Sequence, residues 1–170
     1  MNKLRLILGD QLNINHSWFK EKDSKITYVM MEIKDETSYV LHHAQKIIAT
    51  FAAMRFFAEQ LQQKGFEVIY FKINDKENEQ SFYQNINKTI KEKNINELQY
   101  QEPDEYRLST ELKKLESIEN LKVELVDTEH FLVPKLYAKD FFSEKKHWRM
   151  EEFYRNMRKK FSILMEEDKP

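Results

Sequence analysis

The sequence predicts an α/β protein in which helices cover both faces of a five-stranded parallel sheet, giving a three-layer sandwich. Three observations support this prediction. The 170 residues correspond to about one domain of ordinary size. A composition of 41% hydrophobic and 34% charged residues is typical of a globular protein. Short strand-like apolar runs alternate with helical patterns as far as Val126, and such alternation implies parallel pairing through right-handed crossovers.

The first strands and the first long helix are marked by the spacing of their apolar residues. Residues 3–8 are a short apolar run closed by a Gly-Asp pair, the pattern of a buried strand that ends in a turn. Ile26–Ile33 is a second such run, and charged residues bound it. Over His42–Gln63 the apolar spacing becomes helical, and Gly65 stands where a C-cap glycine belongs.

The alternation continues through the rest of the predicted sheet. Each helix in this region carries Leu, Ile or Phe at helical spacing, which predicts one buried face. The elements are a strand at Phe66–Ile73, a helix at Glu77–Lys93, a strand at Glu97–Gln101, a helix at Glu105–Leu115 and a strand at Leu121–Val126.

After Asp127 the alternation stops, and an irregular segment leads into a predicted amphipathic helix at Lys145–Leu164. The polar faces of this helix are basic, with seven Lys or Arg against two Glu from position 145 to position 160. We therefore divide the chain into an α/β domain at 1–130 and a segment at 131–170. The polar residues Glu167–Pro170 follow the helix at once, which suggests a cut rather than a natural C-terminus. The apolar stripe, more typical of a core than of a cofactor site, consists of Met150, Phe153, Met157, Phe161 and Leu164.

Composition excludes several classes of function. The chain has no cysteine, so disulfides, thiolate zinc sites, Cys-ligated iron–sulfur clusters and Cys nucleophiles are excluded within it. Two glycines leave no G-x-G-x-x-G fingerprint and no phosphate-binding P-loop. The net charge of −1 creates no field over the whole molecule that would demand nucleic acid or an anionic membrane. With neither a membrane-length apolar stretch nor a signal-peptide core, the protein is expected to be cytoplasmic, with no membrane partner.

Candidate binding residues follow the predicted strands at the edge where parallel sheets bind ligands, outside the carboxyl ends of the strands. Gly9 lets the backbone pass close to a ligand, while Asp10 and Gln11 offer polar groups suited to the edge of a heterocycle. Tyr39 can stack on a ring. The residues at this edge are Gly9, Asp10, Gln11 and Leu12 after the first strand, Glu32–Tyr39 after the second and Glu102–Arg107 after the fourth.

Each candidate has a simpler alternative. The Gly-Asp pair can be only a strand-ending turn. Glu32 and Glu36 can accept bonds from a polyol tail, or they can be solvated acids on a loop. His42 and His43 would point about 100° apart on a helix, which favours structural histidines over a metal site. A hydrolase triad built on Ser38 lacks the strand–turn–helix elbow that presents a nucleophile.

Five motifs in register resemble the deoxyribodipyrimidine photolyase-related proteins, the iron–sulfur bacterial branch of the photolyase/cryptochrome superfamily. The resemblance extends over practically the whole chain. It implies an N-terminal domain of the photolyase type, with a Rossmann-like parallel sheet. The motifs are Leu6–Leu12, Glu36–Lys46, Ala53–Glu59, Glu102–Arg107 and Arg149–Arg155.

The resemblance also implies a function. In this family the α/β domain holds an antenna pigment, 6,7-dimethyl-8-ribityllumazine, and a following helical domain carries FAD, a 4Fe-4S cluster and the pocket for UV-damaged DNA. The full-length relatives repair pyrimidine photoproducts with light, whereas this chain alone is expected to be non-catalytic. Thr50 stands where an aliphatic residue is commoner in the family. The positions that match the pigment pocket are Gly9, Asp10, Gln11, Leu12, Glu32, Glu36, Tyr39, His43, Ile47 and Thr50.

Two other functions fit the sequence. The domain can be a non-catalytic docking module whose basic terminal helix contacts the helical domain or DNA phosphates. It can also be a small nucleotide-binding α/β protein, because this fold hosts many functions. The shortage of glycines argues against the second of these.

Overall fold

One sheet joins five parallel strands, and their order across the sheet is 3-2-1-4-5 in chain numbering. Strand order therefore reverses between the first and the fourth strand, which confirms the predicted Rossmann-like arrangement. The computed structural model describes residues 2–134 and 136–166, and the chain divides into two units after Thr128. The strands are β1 (Lys3–Leu6), β2 (Ile26–Met31), β3 (Glu67–Phe71), β4 (Glu97–Gln101) and β5 (Lys122–Val126).

Alternate side chains of the strands feed two separate cores, one on each face of the sheet. Val29 and Met31 point into one core, whereas Tyr28 and Met30 point into the other. Such two-sided burial explains why the strands read as continuous apolar runs. In the described parts of the chain, no helix is both long and apolar enough to cross a bilayer. The helices of this unit are α1 (Lys34–Ser38), α2 (Ala44–Gln63), α3 (Phe82–Lys93) and α4 (Tyr106–Lys113).

The long helix α2 covers one face of the sheet, and α3 and α4 cover the other. Met54 and Leu61 of α2 are buried in the same core as Tyr28 and Met30. Residues of α3 and α4 bury their apolar stripes in the opposite core, as the helical spacing predicts. The buried residues of those stripes are Phe82, Ile86, Ile90, Leu108 and Leu112. The predicted three-layer sandwich is therefore confirmed.

Gly65 ends α2 as predicted. Its φ of 84° lies in the left-handed region that favours glycine. The Gly65 amide donates to the Gln62 carbonyl at 2.8 Å, and the Phe66 amide donates to the Leu61 carbonyl at 3.0 Å. These two bonds form a Schellman motif, which satisfies the last carbonyls of the helix and turns the chain into β3.

The start of α3 differs from the sequence prediction by five residues. The helix predicted from Glu77 begins at Phe82, because Ser81 caps its N-terminus and Gln80 has a positive φ. The side chain of Asn78 donates instead to the carbonyls of Glu32 and Lys72, at the ends of β2 and β3. Asn78 thus satisfies backbone carbonyls just beyond two strand ends and does not belong to a helix.

The described residues of the second unit form two short helices, α5 (Tyr137–Phe142) and α6 (Met150–Phe161), within the region predicted as an irregular segment and one long helix. Phe142 stacks between Trp148 and Phe153, with ring centroids 5.5 and 5.9 Å away. Trp148 and Met150 are nonetheless mostly exposed, so the predicted apolar stripe is only partly buried. The predicted cut at Glu167–Pro170 lies outside the described residues.

Two glutamines of β4 lie on the same face of the sheet but differ in their hydrogen bonding. Gln99 accepts a hydrogen bond from Arg5 Nε at 2.9 Å and donates one to Glu124 at 2.7 Å. Gln101 is completely buried, and its amide nitrogen and oxygen have no partner among the described residues. A buried polar group without a partner keeps its full desolvation cost.

We predict that Gln101→Met raises the free energy of unfolding by about 1 kcal/mol, because it removes a buried amide that makes no bond. Gln99→Met serves as the matched control and should lower the free energy of unfolding by a similar amount. Urea denaturation at neutral pH measures both variants. A loss of stability in Gln101→Met would contradict the prediction.

Candidate functional site

A cavity of about 300 Å³ opens at the carboxyl edge of the sheet, where the strand-order rule places ligand sites. We call it the edge cavity. Leu8 and Gly9, directly after β1, contribute to its lining together with Met31 of β2. Phe82 and Leu108 add apolar side chains from the first turns of α3 and α4. The cavity therefore gathers residues from both sides of the point where strand order reverses.

The helix α2 supplies one wall of the edge cavity. Five of its residues line the cavity. Four of them lie at positions i, i+3, i+4 and i+7, which share one helix face: Ile47, Thr50, Phe51 and Met54. Gly9 lies close to this wall, since a Cβ atom at Gly9 would be 3.0 Å from the Met54 sulfur. A side chain at position 9 would therefore displace a residue of the wall, and glycine keeps the turn tight against α2.

Polar side chains line the rest of the cavity. Asp10 follows Gly9, and Lys46 comes from the first turn of α2. His42 precedes α2, and its Nδ1 lies 3.3 Å from Lys46 Nζ. Tyr39 also lines the cavity, with its ring edge-on to His42 at 5.1 Å. The cavity is thus apolar at its strand ends and polar along the segment between α1 and α2, a combination typical of sites for small ligands.

Arg107 joins two parts of the cavity lining. Its Nη1 and Nη2 donate to the two carboxylate oxygens of Glu36 at 2.9 and 2.8 Å. Its Nε donates to Glu105 at 2.8 Å, and the guanidinium lies 4.2 Å from the centre of the Tyr39 ring. Because Glu36 belongs to α1 and Glu105 directly precedes α4, this contact ties α1 to the start of α4.

Glu32, at the end of β2, has a buried carboxylate with four donors. Arg55 of α2 donates to both oxygens, at 2.7 and 2.8 Å. Tyr70 of β3 donates its hydroxyl at 2.7 Å, and the Ile73 amide donates at 2.8 Å. Burial raises the pKa of Glu32, but the bonds from Arg55, Ile73 and Tyr70 outweigh burial and hold the pKa below its ordinary value. The ionised carboxylate therefore fastens α2 to two strands.

The structure brings six of the ten residues matched to the pigment pocket into the edge cavity. Tyr39 carries Arg107 on its ring, and both carboxylate oxygens of Glu36 accept bonds from the same guanidinium. The Thr50 methyl is oriented toward Gly9. The six residues are Gly9, Asp10, Glu36, Tyr39, Ile47 and Thr50.

The other four residues do not line the cavity. The side chain of Gln11 accepts from the Leu8 amide and donates to the Gln101 carbonyl, which ties the turn after β1 to β4. Leu12 packs against the core under α2. Glu32 forms the buried network described above. His43 caps α2, since its Nδ1 accepts from the Gln45 amide.

Several cavity residues were not among the sequence candidates. Phe51 and Met54 could have been found, because they extend the helical spacing that starts at Ile47. Phe82 and Leu108 begin helices that follow predicted strands, and such helix starts lie at the carboxyl edge of the sheet. Lys46 carries no comparable signal in the sequence, and His42 was considered there as a metal ligand.

Neither a metal site nor a hydrolase triad is present in the ranges that the structure describes. No group of three His, Asp or Glu residues there could hold a metal ion. The Ser38 hydroxyl donates to the Lys34 carbonyl within α1. The structural role predicted for His43 is confirmed by its cap on α2.

Comparison with known proteins identifies similar sequences. The family model described as "Deoxyribodipyrimidine photo-lyase-related protein" matches residues 5–170. A (6-4) photolyase of Agrobacterium fabrum is 34% identical over 171 residues, which cover 100% of this chain and 34% of that protein. An uncharacterized protein of Acanthamoeba polyphaga mimivirus is 26% identical over 159 residues, covering 88% of this chain and 78% of the viral protein. The chain thus spans about a third of the length of the photolyase.

We predict that Glu32→Gln lowers the free energy of unfolding by about 2 kcal/mol at neutral pH, because an amide cannot accept all four donors. A folded-state pKa below the unfolded value contributes stability that is present above the unfolded pKa and disappears as pH falls through the folded pKa. The difference in free energy of unfolding between wild type and Glu32→Gln should therefore become smaller as the pH falls below about 4.3. Chemical denaturation across this pH range measures this difference.

Glu59→Gln is the matched control, because Glu59 is an exposed acid of α2, the helix that supplies Arg55. Its free energy of unfolding should stay close to that of the wild type at neutral pH. A difference for Glu32→Gln that is unchanged in acid would show that the carboxylate charge does not stabilise the fold.

Proposed function

The chain belongs to the deoxyribodipyrimidine photo-lyase-related protein family, and we propose from this premise that it is the light-harvesting, pigment-binding domain of a photolyase-related flavoprotein. The pigment, of the class of 6,7-dimethyl-8-ribityllumazine, would bind in the edge cavity. When bound, it supplies absorption of blue light and transfer of the excitation energy to a flavin. The chain itself contributes a rigid binding site rather than a chemical step.

The observation that carries this proposal is the edge cavity itself. Its volume of about 300 Å³ lies at the lower end of the range for ligand pockets, which suits a compact ring system. Energy transfer depends on distance and orientation, so an antenna needs a site that holds a ring in one position. An acid–base pair at the ring is not required for that role.

The residues present fit a flat heterocycle with a polar tail. Ile47 and Leu108 offer apolar surface for the faces of a ring. Gly9 lets the backbone of the turn after β1 approach the ring, since a Cβ there would press on Met54. Asp10 and Thr50 add polar groups that could bond the ring edge or hydroxyl groups of a tail.

The activity of the full-length protein is a further part of the proposal. With about two thirds of the (6-4) photolyase lying outside the matched region, we place FAD, a 4Fe-4S cluster and contacts to UV-damaged DNA in additional sequence. The absence of cysteine in this chain agrees with that division, because such clusters are held by Cys thiolates. Flavin would then carry out light-driven repair or signalling.

We predict that Ile47→Trp weakens binding of 6,7-dimethyl-8-ribityllumazine by at least about tenfold, because the larger ring fills the edge cavity. Ile48→Trp is the matched control. Ile48 is the next residue of the same helix and is 67% exposed, so the control should bind as the wild type does. Fluorescence titration of the purified chain measures the dissociation constants.

Circular dichroism of both variants establishes that each remains folded. If the wild-type chain binds no lumazine at micromolar concentrations, the pigment-binding role is wrong. Equal binding by Ile47→Trp and wild type would place the pigment outside the edge cavity.

A further inference from the structure

We propose that Arg107 is a clamp that holds α1 against the start of α4 and thereby sets how fast a ligand enters and leaves the edge cavity. The mechanical part of this inference concerns the free chain, whereas the part on ligand exchange rests on the proposed function. In this role Arg107 is a positioning residue, since it does not itself line the cavity. Glu36 and Tyr39, which Arg107 contacts, do line it.

The geometry of the Arg107 side chain supports a clamp. All three guanidinium nitrogens donate to carboxylates: Nη1 and Nη2 to Glu36, and Nε, with a longer bond of 3.3 Å from Nη2, to Glu105. The paired bonds to Glu36 have the parallel fork arrangement that fixes both distance and direction. The face of the guanidinium lies over the Tyr39 ring at 4.2 Å. The Arg107 side chain thus positions both Glu36 of α1 and Tyr39, the residue directly after α1.

Few other contacts hold this part of the chain. The helix α1 has five residues and none is buried, and its first residue has no side-chain cap. Thr37 and Ser38 donate their hydroxyls back to the Lys34 carbonyl within α1. Among the described residues, Glu36 accepts the two bonds from Arg107, and at the start of α1 the Lys34 amide donates to the Gln80 side chain at 2.9 Å. The Gln80 bond holds the first residue of the helix, whereas the Arg107 bonds hold its middle.

The segment that follows α1 is also weakly packed. Val40 is 49% exposed, and Leu41 is completely exposed. Segments with few buried apolar contacts open locally at low free-energy cost. Release of Arg107 would therefore free α1 and Tyr39 together, while α2 stays fixed to the sheet through Arg55 and Glu32.

The strength of the clamp suits reversible opening. Arg107 and Glu36 are partly exposed, with side-chain exposures of 39% and 26%. Water competes for partly exposed ion pairs, so they contribute far less than buried pairs do. The contact can therefore break often enough for a ligand to exchange, and salt should weaken it.

Hydrogen exchange of the free chain tests the mechanical part of the proposal. We predict that Arg107→Gln accelerates exchange of the amides in residues 34–41 by about tenfold, which corresponds to loss of the clamp. Lys113→Gln, an exposed cation of the same helix, is the matched control and should leave exchange in this segment unchanged. Glu36→Gln should accelerate exchange as Arg107→Gln does, and Arg107→Lys should give an intermediate rate because it loses the fork.

An unchanged rate at residues 34–41 in Arg107→Gln would overturn the clamp. Acceleration spread equally through β4 and α4 would also overturn it, because that pattern indicates general loss of stability. Neither readout needs a pigment. Failure of the clamp is therefore distinguishable from failure of the proposed function, which would appear as absence of lumazine binding by the wild-type chain.

Stopped-flow fluorescence with 6,7-dimethyl-8-ribityllumazine tests the effect on exchange of the ligand. In Arg107→Gln, the association and dissociation rate constants should both rise by about tenfold, while the dissociation constant changes less. Faster dissociation with unchanged association would contradict the clamp, since it indicates lost contacts to the bound pigment. Raised salt should move the wild-type rates toward those of the variant.

Discussion

The rest of the structure depends on one buried charge, the carboxylate of Glu32. Burial of an ionised carboxylate is costly unless the charge is paired and its oxygens are hydrogen-bonded, and here four donors from α2, β3 and the residues after β3 surround it. These donors tie the end of β2 to Arg55 and Tyr70. Arg55 directly follows Met54, a residue of the cavity wall. The wall that α2 contributes to the edge cavity is therefore fixed relative to the strand ends at the other side of the cavity.

A second Arg–Glu pair of the same fork geometry acts in a different environment. The Glu32 side chain is completely buried, whereas that of Glu36 is 26% exposed. Burial makes the first contact costly to break, because separation would leave an uncompensated charge in the core. Water can replace the partner of Glu36 when Arg107 leaves. The α2 wall of the edge cavity is thus fixed to the sheet by a buried ion pair. The α1 part of its lining is held by an ion pair that is open to solvent.

The sequence predicts the strands and long helices better than it predicts the contacts of the edge cavity. Strands and long helices bury apolar residues at regular spacing, so their patterns survive in the sequence, as the stripe of α2 and the cap at Gly65 illustrate. Spacing does not reveal the partner of a polar residue. Glu32 was expected at a ligand, but its partner Arg55 lies 23 positions away and takes its carboxylate. The helix α1 was missed because five polar residues carry no periodic signal.

The same contacts bear on the kind of function this site supports. Glu36 lines the edge cavity with an arginine on its carboxylate, and Glu105, near the same arginine, is also bonded to it. Both oxygens of Glu36 accept bonds from the guanidinium, so this carboxylate is engaged within the protein rather than with a reacting group. This arrangement supports the proposed role of the edge cavity in holding a ligand. Energy transfer, the proposed role, needs a site that binds and orients a ligand, whereas turnover of a substrate also needs groups positioned to move protons.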